Sequence, residues 1–114
     1  MQKKLRWTAS LALGSVVLTG LIFNSAPVKA NNAAEATYKA KCAMCHGPDG
    51  KGETATGKTM KVKDFSSQEV QKMSDEDLTD AISKGKGKMP PYKTFTPEQV
   101  KDLIAYIRSF AKKS

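Results

Sequence analysis

The chain has 114 residues, with 19 Lys and Arg against 11 Asp and Glu, two cysteines and one histidine. That length allows one domain, and two Cys with one His are too few to build a four-ligand structural zinc site without carboxylates. Four of the basic residues (Lys3, Lys4, Arg6, Lys29) and none of the acidic ones fall in the first 30 positions, so the other 15 basic and 11 acidic residues carry only +4 of the formal +8. With no basic groove interleaved with aromatics, that charge argues against a nucleic-acid partner.

Residues 1–30 read as a targeting segment. Lys3, Lys4 and Arg6 form a basic start, Thr8 to Phe23 is uncharged and apolar, and Val28-Lys29-Ala30 places small residues as a signal peptidase requires. Cleavage is expected after Ala30, leaving a mature domain over 31–114 that is exported, to the periplasm or its equivalent. The alternative is a retained membrane anchor, although the apolar run is short of the roughly 20 residues that span a bilayer.

A first helix is expected from Ala33 to Cys45, with Ala34, Tyr38 and Cys42 at successive four-residue steps on one face. At its end stands Cys42-Ala43-Met44-Cys45-His46. Cys-x-x-Cys-His is the attachment signature of c-type haem. Two thiols add across the two vinyl groups, and the histidine that follows is placed beneath the iron. On a helical turn, positions i, i+3 and i+4 share a face, so Cys42, Cys45 and His46 point together at one flat ligand. A thioredoxin-like pair would follow a strand, and no strand pattern precedes Cys42. A plain disulfide would leave His46 without a role.

Gly47 to Asp64 reads as a loop, broken by Gly47, Pro48, Gly50, Gly52 and Gly57. It is expected to wrap the histidine side of the haem. One of its carbonyls, Pro48 among the candidates, is expected to accept the His46 Nδ1–H. The glycines spell neither G-x-G-x-x-G nor a P-loop.

Three further helices begin with similar punctuation. Ser66-x-x-Glu69 reads as a capping box with Phe65 and Val70 as its hydrophobic staple, and predicts a helix over 66–72. Met73-Ser74-x-x-Asp77-Leu78 repeats the layout for 75–84, which Gly85 ends in the left-handed conformation. Thr96-Pro97-x-Gln99 opens a long helix over 97–112, whose apolar stripe runs through Val100, Leu103, Ile104, Ile107 and Phe110. The expected partner of that stripe is the first helix.

A haem iron in an electron carrier takes a second protein ligand, and His46 is the sole histidine. A thioether is the remaining natural choice, and it raises the reduction potential. Met44 lies within the attachment motif, and Met73 is taken by its staple. Met89, stiffened by Pro90 and Pro91, is the leading candidate. Met60 is the second, and an open or water-ligated iron the third.

Taken together, the 42–46 motif, the Cys-His-Gly-Pro-Asp-Gly-Lys-Gly run at 45–52, Gly-Lys-Gly-Lys-Met-Pro-Pro at 85–91 and Leu103-Ile104-Ala105-Tyr106-Ile107 resemble class I c-type cytochromes. The 45–52 and 85–91 runs look like those of small bacterial monohaem cytochromes and of the haem domains fused to respiratory oxidases. The resemblance implies an all-α fold, about four helices around one covalently attached haem c, with N- and C-terminal helices crossing. Ala34 then matches the small crossing residue, Tyr38 the aromatic four before the first Cys, and Tyr106 the aromatic that packs over the crossing. Its site residues are Cys42, Cys45, His46 and Met89, with His46 and Met89 on the iron. The implied function is a soluble, monomeric electron carrier rather than an enzyme, with transient protein redox partners and no small-molecule substrate. Lys39, Lys41, Lys84, Lys86, Lys88 and Lys93 are available to steer an acidic partner. A haem subunit of a larger complex, and a small-ligand sensor or peroxidase, are the alternatives. A chain this short has a small core, so the haem-free form is expected to be poorly folded.

Overall fold

A computed structural model describes residues 28–112. The expected signal or anchor segment, up to residue 27, lies outside the described residues. No helix among the described residues is long and apolar enough to cross a membrane.

The named elements of the described chain are all helices. Its elements are α1 (Val28–Lys41), α2 (Ala43–His46), α3 (Ala55–Met60), α4 (Gln68–Gln71), α5 (Asp75–Lys84) and α6 (Pro97–Ser109), followed by a 3₁₀ turn (Phe110–Lys112). The expected first helix therefore starts five residues early and is interrupted at Cys42. The cleavage site expected after Ala30 falls inside α1.

Each later helix starts where a side chain satisfies an orphan amide. Thr96 and Gln99 form a reciprocal capping box at α6: Gln99 N donates to Thr96 Oγ1 (3.2 Å) and Thr96 N to Gln99 Oε1 (2.9 Å), with Pro97 at the first position. Ser74 caps α5 by accepting from Asp77 N at 3.0 Å, and Asp75, Glu76 and Asp77 complement the positive end of the helix dipole.

At α4 the expected capping box over Ser66 and Glu69 is displaced by one residue. Asp64 Oδ1 accepts from both the amide and the hydroxyl of Ser66, so Ser67 becomes the cap instead. Glu69 pairs with Lys63. The shift also removes Phe65 and Val70 from staple positions. Gly85 does stop α5 with a positive φ, 78°, but its ψ of 163° is extended rather than left-handed helical.

Both α1 and α5 pack on α6, as the apolar stripe requires. Val100, Leu103, Ile104 and Ile107 are buried from α6, Leu78 and Ile82 from α5, and Ala34 and Tyr38 from α1. At the α1–α6 crossing three rings meet: Tyr38 lies 5.1 Å from Tyr106 and 5.4 Å from Phe110 between centroids, and Tyr106 lies 5.2 Å from Phe110. Small Ala34 and tightly packed aromatics let the two helices approach where the chain turns into α2. The 42–46 motif is thereby anchored to the centre of the core.

The expected loop over 47–64 contains an element of its own, α3. Thr54 caps it by accepting from Gly57 N at 2.9 Å. Gly57 is a helical residue here, not a breaker, and it is needed for space. A Cβ on it would lie 2.2 Å from the Cys45 carbonyl oxygen and 2.5 Å from that of Gly52. The absence of a side chain lets α3 lie directly against the motif.

Candidate functional site

Cys42 closes α1 and opens α2 in a single turn. Its N–H still donates to Tyr38 O (2.8 Å), and His46 N donates to Cys42 O (2.9 Å), so the helical path continues through the break. Both cysteines are free thiols and partly buried. Burial, and secondarily the neighbouring Cys45, push the Cys42 thiol up to about 11.

A four-residue helix leaves its carbonyls without internal partners. Here the last two, and that of the Gly47 cap, are satisfied separately. Cys45 O accepts from Thr54 Oγ1 (3.0 Å), His46 O from Gly52 N (2.8 Å) and Gly47 O from the Tyr38 hydroxyl (2.7 Å). The loop after the motif is thus a clamp on the motif's own backbone.

His46 is partly buried, and Phe65 stacks on its ring at 4.3 Å between centroids and 18° between planes. Burial lowers the imidazole pKa; the Lys63 backbone acts in the opposite direction. The neutral ring this favours is the metal-binding form. Nδ1 is buried and has no hydrogen-bond partner. The backbone group that acts on the ring is that of Lys63, within the loop expected to partner His46, and not that of Pro48.

Cys42, His46 and Met89 line a single apolar cavity, together with Tyr38, Phe65, Tyr92 and Phe95 and aliphatic residues of α5 and α6. About 490 Å³ there is not filled by protein atoms, part of it open to solvent. Cys45 is not a lining residue. The other methionines stand elsewhere: Met44 is 76% exposed, Met60 39% exposed at the end of α3, and Met73 packs against the core. Among the described residues no group of three or more His, Cys, Asp or Glu forms a metal cluster, which leaves the zinc alternative without ligands.

These residues fit a haem. The Cys42 thiol, the His46 imidazole and the Met89 thioether converge on one apolar space, and Cys45 stands three residues from Cys42 on the same motif. Three contributors escaped the sequence reading. Phe65 reads in the sequence as a staple residue, Thr54 carries only a weak local cap signal, and Tyr92 follows two prolines without any motif.

A helical shell that presents Cys-x-x-Cys-His to such a cavity defines the class: a class I c-type cytochrome. A family model described as "Cytochrome C oxidase, cbb3-type, subunit III" matches residues 29–107, and the chain belongs to that family. Among solved structures it is similar to the KustC0563 c-type cytochrome, with 35% identity and a TM-score of 0.62, covering 68% of this chain and 95% of that one. No curated protein matches the chain. The family carries covalently bound haem c and works in haem-based electron transfer.

Proposed function

We propose that this protein is a soluble, exported, monohaem electron carrier in which His46 and Met89 are the two axial ligands. The observation that carries the reading is that, among the described residues, Met89 is the one methionine lining the cavity that Cys42 and His46 also line, while Met44 and Met60 are exposed.

Haem, when bound, supplies a one-electron ferric–ferrous couple. The chain's own residues do the rest. Cys42 and Cys45 would hold the group covalently, and the apolar side chains of α1, α5 and α6 would exclude water from it. His46 and Met89 together would leave no coordination position for a substrate, which supports a carrier rather than an enzyme. Lys41, Lys86, Lys88 and Lys93 form no ion pair among the described residues, so they remain available to an acidic redox partner. Lys84 pairs with Asp80 at 2.9 Å and Lys39 with Glu35, so these two contribute less to steering.

The test is an absorption spectrum of the exported protein in both redox states. Met89→Ala should abolish the sulfur-to-iron band and lower the potential. Should Met60→Ala abolish it while Met89→Ala leaves it intact, the ligand assignment is wrong. Mass spectrometry of the same material decides cleavage after Ala30 against a retained anchor. The second reading, a haem subunit of a larger complex, is favoured by the family's description as an oxidase subunit. Its test is the native size of the protein in mild detergent extracts.

A further inference from the structure

The wall of the cavity that carries Met89 is a short segment, 85–92, whose shape is set by its own backbone. Lys86 and Met89 exchange main-chain hydrogen bonds, Lys86 N to Met89 O at 3.2 Å and Met89 N to Lys86 O at 3.0 Å. Gly85, at φ +78°, lies so close that a Cβ there would come within 2.7 Å of Met89 O. Pro90 and Pro91 fix two successive φ angles, which stiffens the link between Met89 and Tyr92. At the exit, Tyr92 N donates to Ile82 O at 2.9 Å, tying the segment to α5.

One side-chain hydrogen bond crosses from this segment to the attachment side. The Tyr92 hydroxyl donates to the Lys41 carbonyl at 2.9 Å, across 51 positions of sequence. That carbonyl is available because the helix breaks at Cys42. Cys45 N donates to Cys42 O, leaving Lys41 O as one of the orphan acceptors at the end of α1. Phe95 stacks on the Tyr92 ring at 5.2 Å and 5°, which holds the phenol in place.

We propose that Tyr92 is the positioning residue for Met89: its hydroxyl latches the Met89 segment to the residue before Cys42 and keeps the methionine on the cavity. The inference rests on Met89 as the axial ligand. For an outside ligand to take Met89's place, segment 85–92 must lift away from α1. The stiff Met-Pro-Pro-Tyr connection makes the Tyr92–Lys41 bond break in the same motion. The bond therefore favours the closed state, and its loss raises the open population by about two- to tenfold, the worth of one net hydrogen bond. Apparent affinity for an outside ligand rises by the same factor.

The experiment uses the haem-loaded ferric protein as wild type, Tyr92→Phe and Met89→Ala. Each is titrated with imidazole and followed by absorption, with urea unfolding measured in parallel. Tyr92→Phe is expected to keep the sulfur-to-iron band and bind imidazole about two- to tenfold more tightly than wild type. Unchanged imidazole affinity in Tyr92→Phe overturns the proposal, and does so even if urea stability falls, since the bond would then be merely structural. The Met89→Ala arm is read separately: a band that survives there defeats the ligand assignment itself, whatever Tyr92→Phe does.

Discussion

The Tyr38 hydroxyl donates a 2.7 Å hydrogen bond to the carbonyl of Gly47, the residue directly after His46. Tyr38 is 1% exposed, and its ring belongs to the α1–α6 aromatic crossing. One side chain thus links the packing of the terminal helices to the exit from the attachment motif. Burial raises the phenol's pKa, so the hydroxyl stays protonated and able to donate.

Tyr38→Phe keeps the ring and deletes the donor, leaving the buried Gly47 carbonyl with the Gly50 amide (3.1 Å) as its remaining partner. The expected cost is about 0.5–1.5 kcal/mol, the net worth of one hydrogen bond. In a domain of this size each kcal/mol lowers Tm by roughly 4–8 °C, which calorimetry of the haem-loaded protein would measure. A melting temperature equal to wild type would mean that the bond is replaced by water.

Gly57→Ala should destabilise for a different reason. Its backbone is ordinary helix, so an alanine there would ordinarily help. The obstacle is the Cys45 carbonyl, 2.2 Å from the added Cβ. Overpacking of this kind costs about 1–3 kcal/mol, and relief requires α3 to move off the motif. Urea unfolding of Gly57→Ala beside Thr59→Ala, an exposed site on the same helix, separates the two effects. Equal stability of the two variants would count against the close approach.

Cys42 makes the haem-free chain sensitive to alkali. Its folded pKa, about 11, lies above the unfolded value near 9.0, chiefly through burial. Between these values the folded chain holds a proton that the unfolded chain has lost. The contribution is therefore fully present below about pH 9 and is lost as pH rises towards about 11. Iodoacetamide labelling of the haem-free chain also tests its expected poor folding: a rate that climbs up to about pH 11 marks a folded chain with Cys42 desolvated, and one that levels near pH 9, as in denaturant, marks an unfolded one. Coincident profiles would show that the thiol is not desolvated.

Electron transfer with an acidic partner should slow as ionic strength rises, because exposed charges are screened beyond about 8–10 Å near physiological salt. Lys86→Gln with Lys88→Gln should lower the low-salt rate and flatten its salt dependence. Lys84→Gln should do less, since Asp80 already pairs with that lysine. A salt-independent rate would remove the steering role of these lysines.

Short-range order made much of the molecule readable. The attachment motif needs only a five-residue spacing. The α6 stripe repeats every three to four residues, and the Thr96–Gln99 box is complete within one turn. Where a second local acceptor competes, the reading slips by one residue, as Asp64 does to Ser66 at α4. The 47–64 stretch misled more deeply, because glycine has two physical uses. Gly47, Gly50 and Gly52 do take positive φ angles, whereas Gly57 sits in a helix for lack of room. No local pattern distinguishes the two, since the carbonyl that excludes a Cβ at Gly57 belongs to Cys45, twelve residues back.

By itself, then, the sequence determined the chemistry that is covalent and local: two thiols and an imidazole on one turn, and helices capped by their own side chains. Only the tertiary structure decided which methionine shares the cavity with His46, that α3 lies on the motif, that Phe65 stacks on His46, and that Tyr92 reaches Lys41 across 51 positions. Hydrogen bonds and close contacts between residues so far apart leave no periodic trace along the chain. They exist only once packing of α1 and α5 on α6 has brought their elements together.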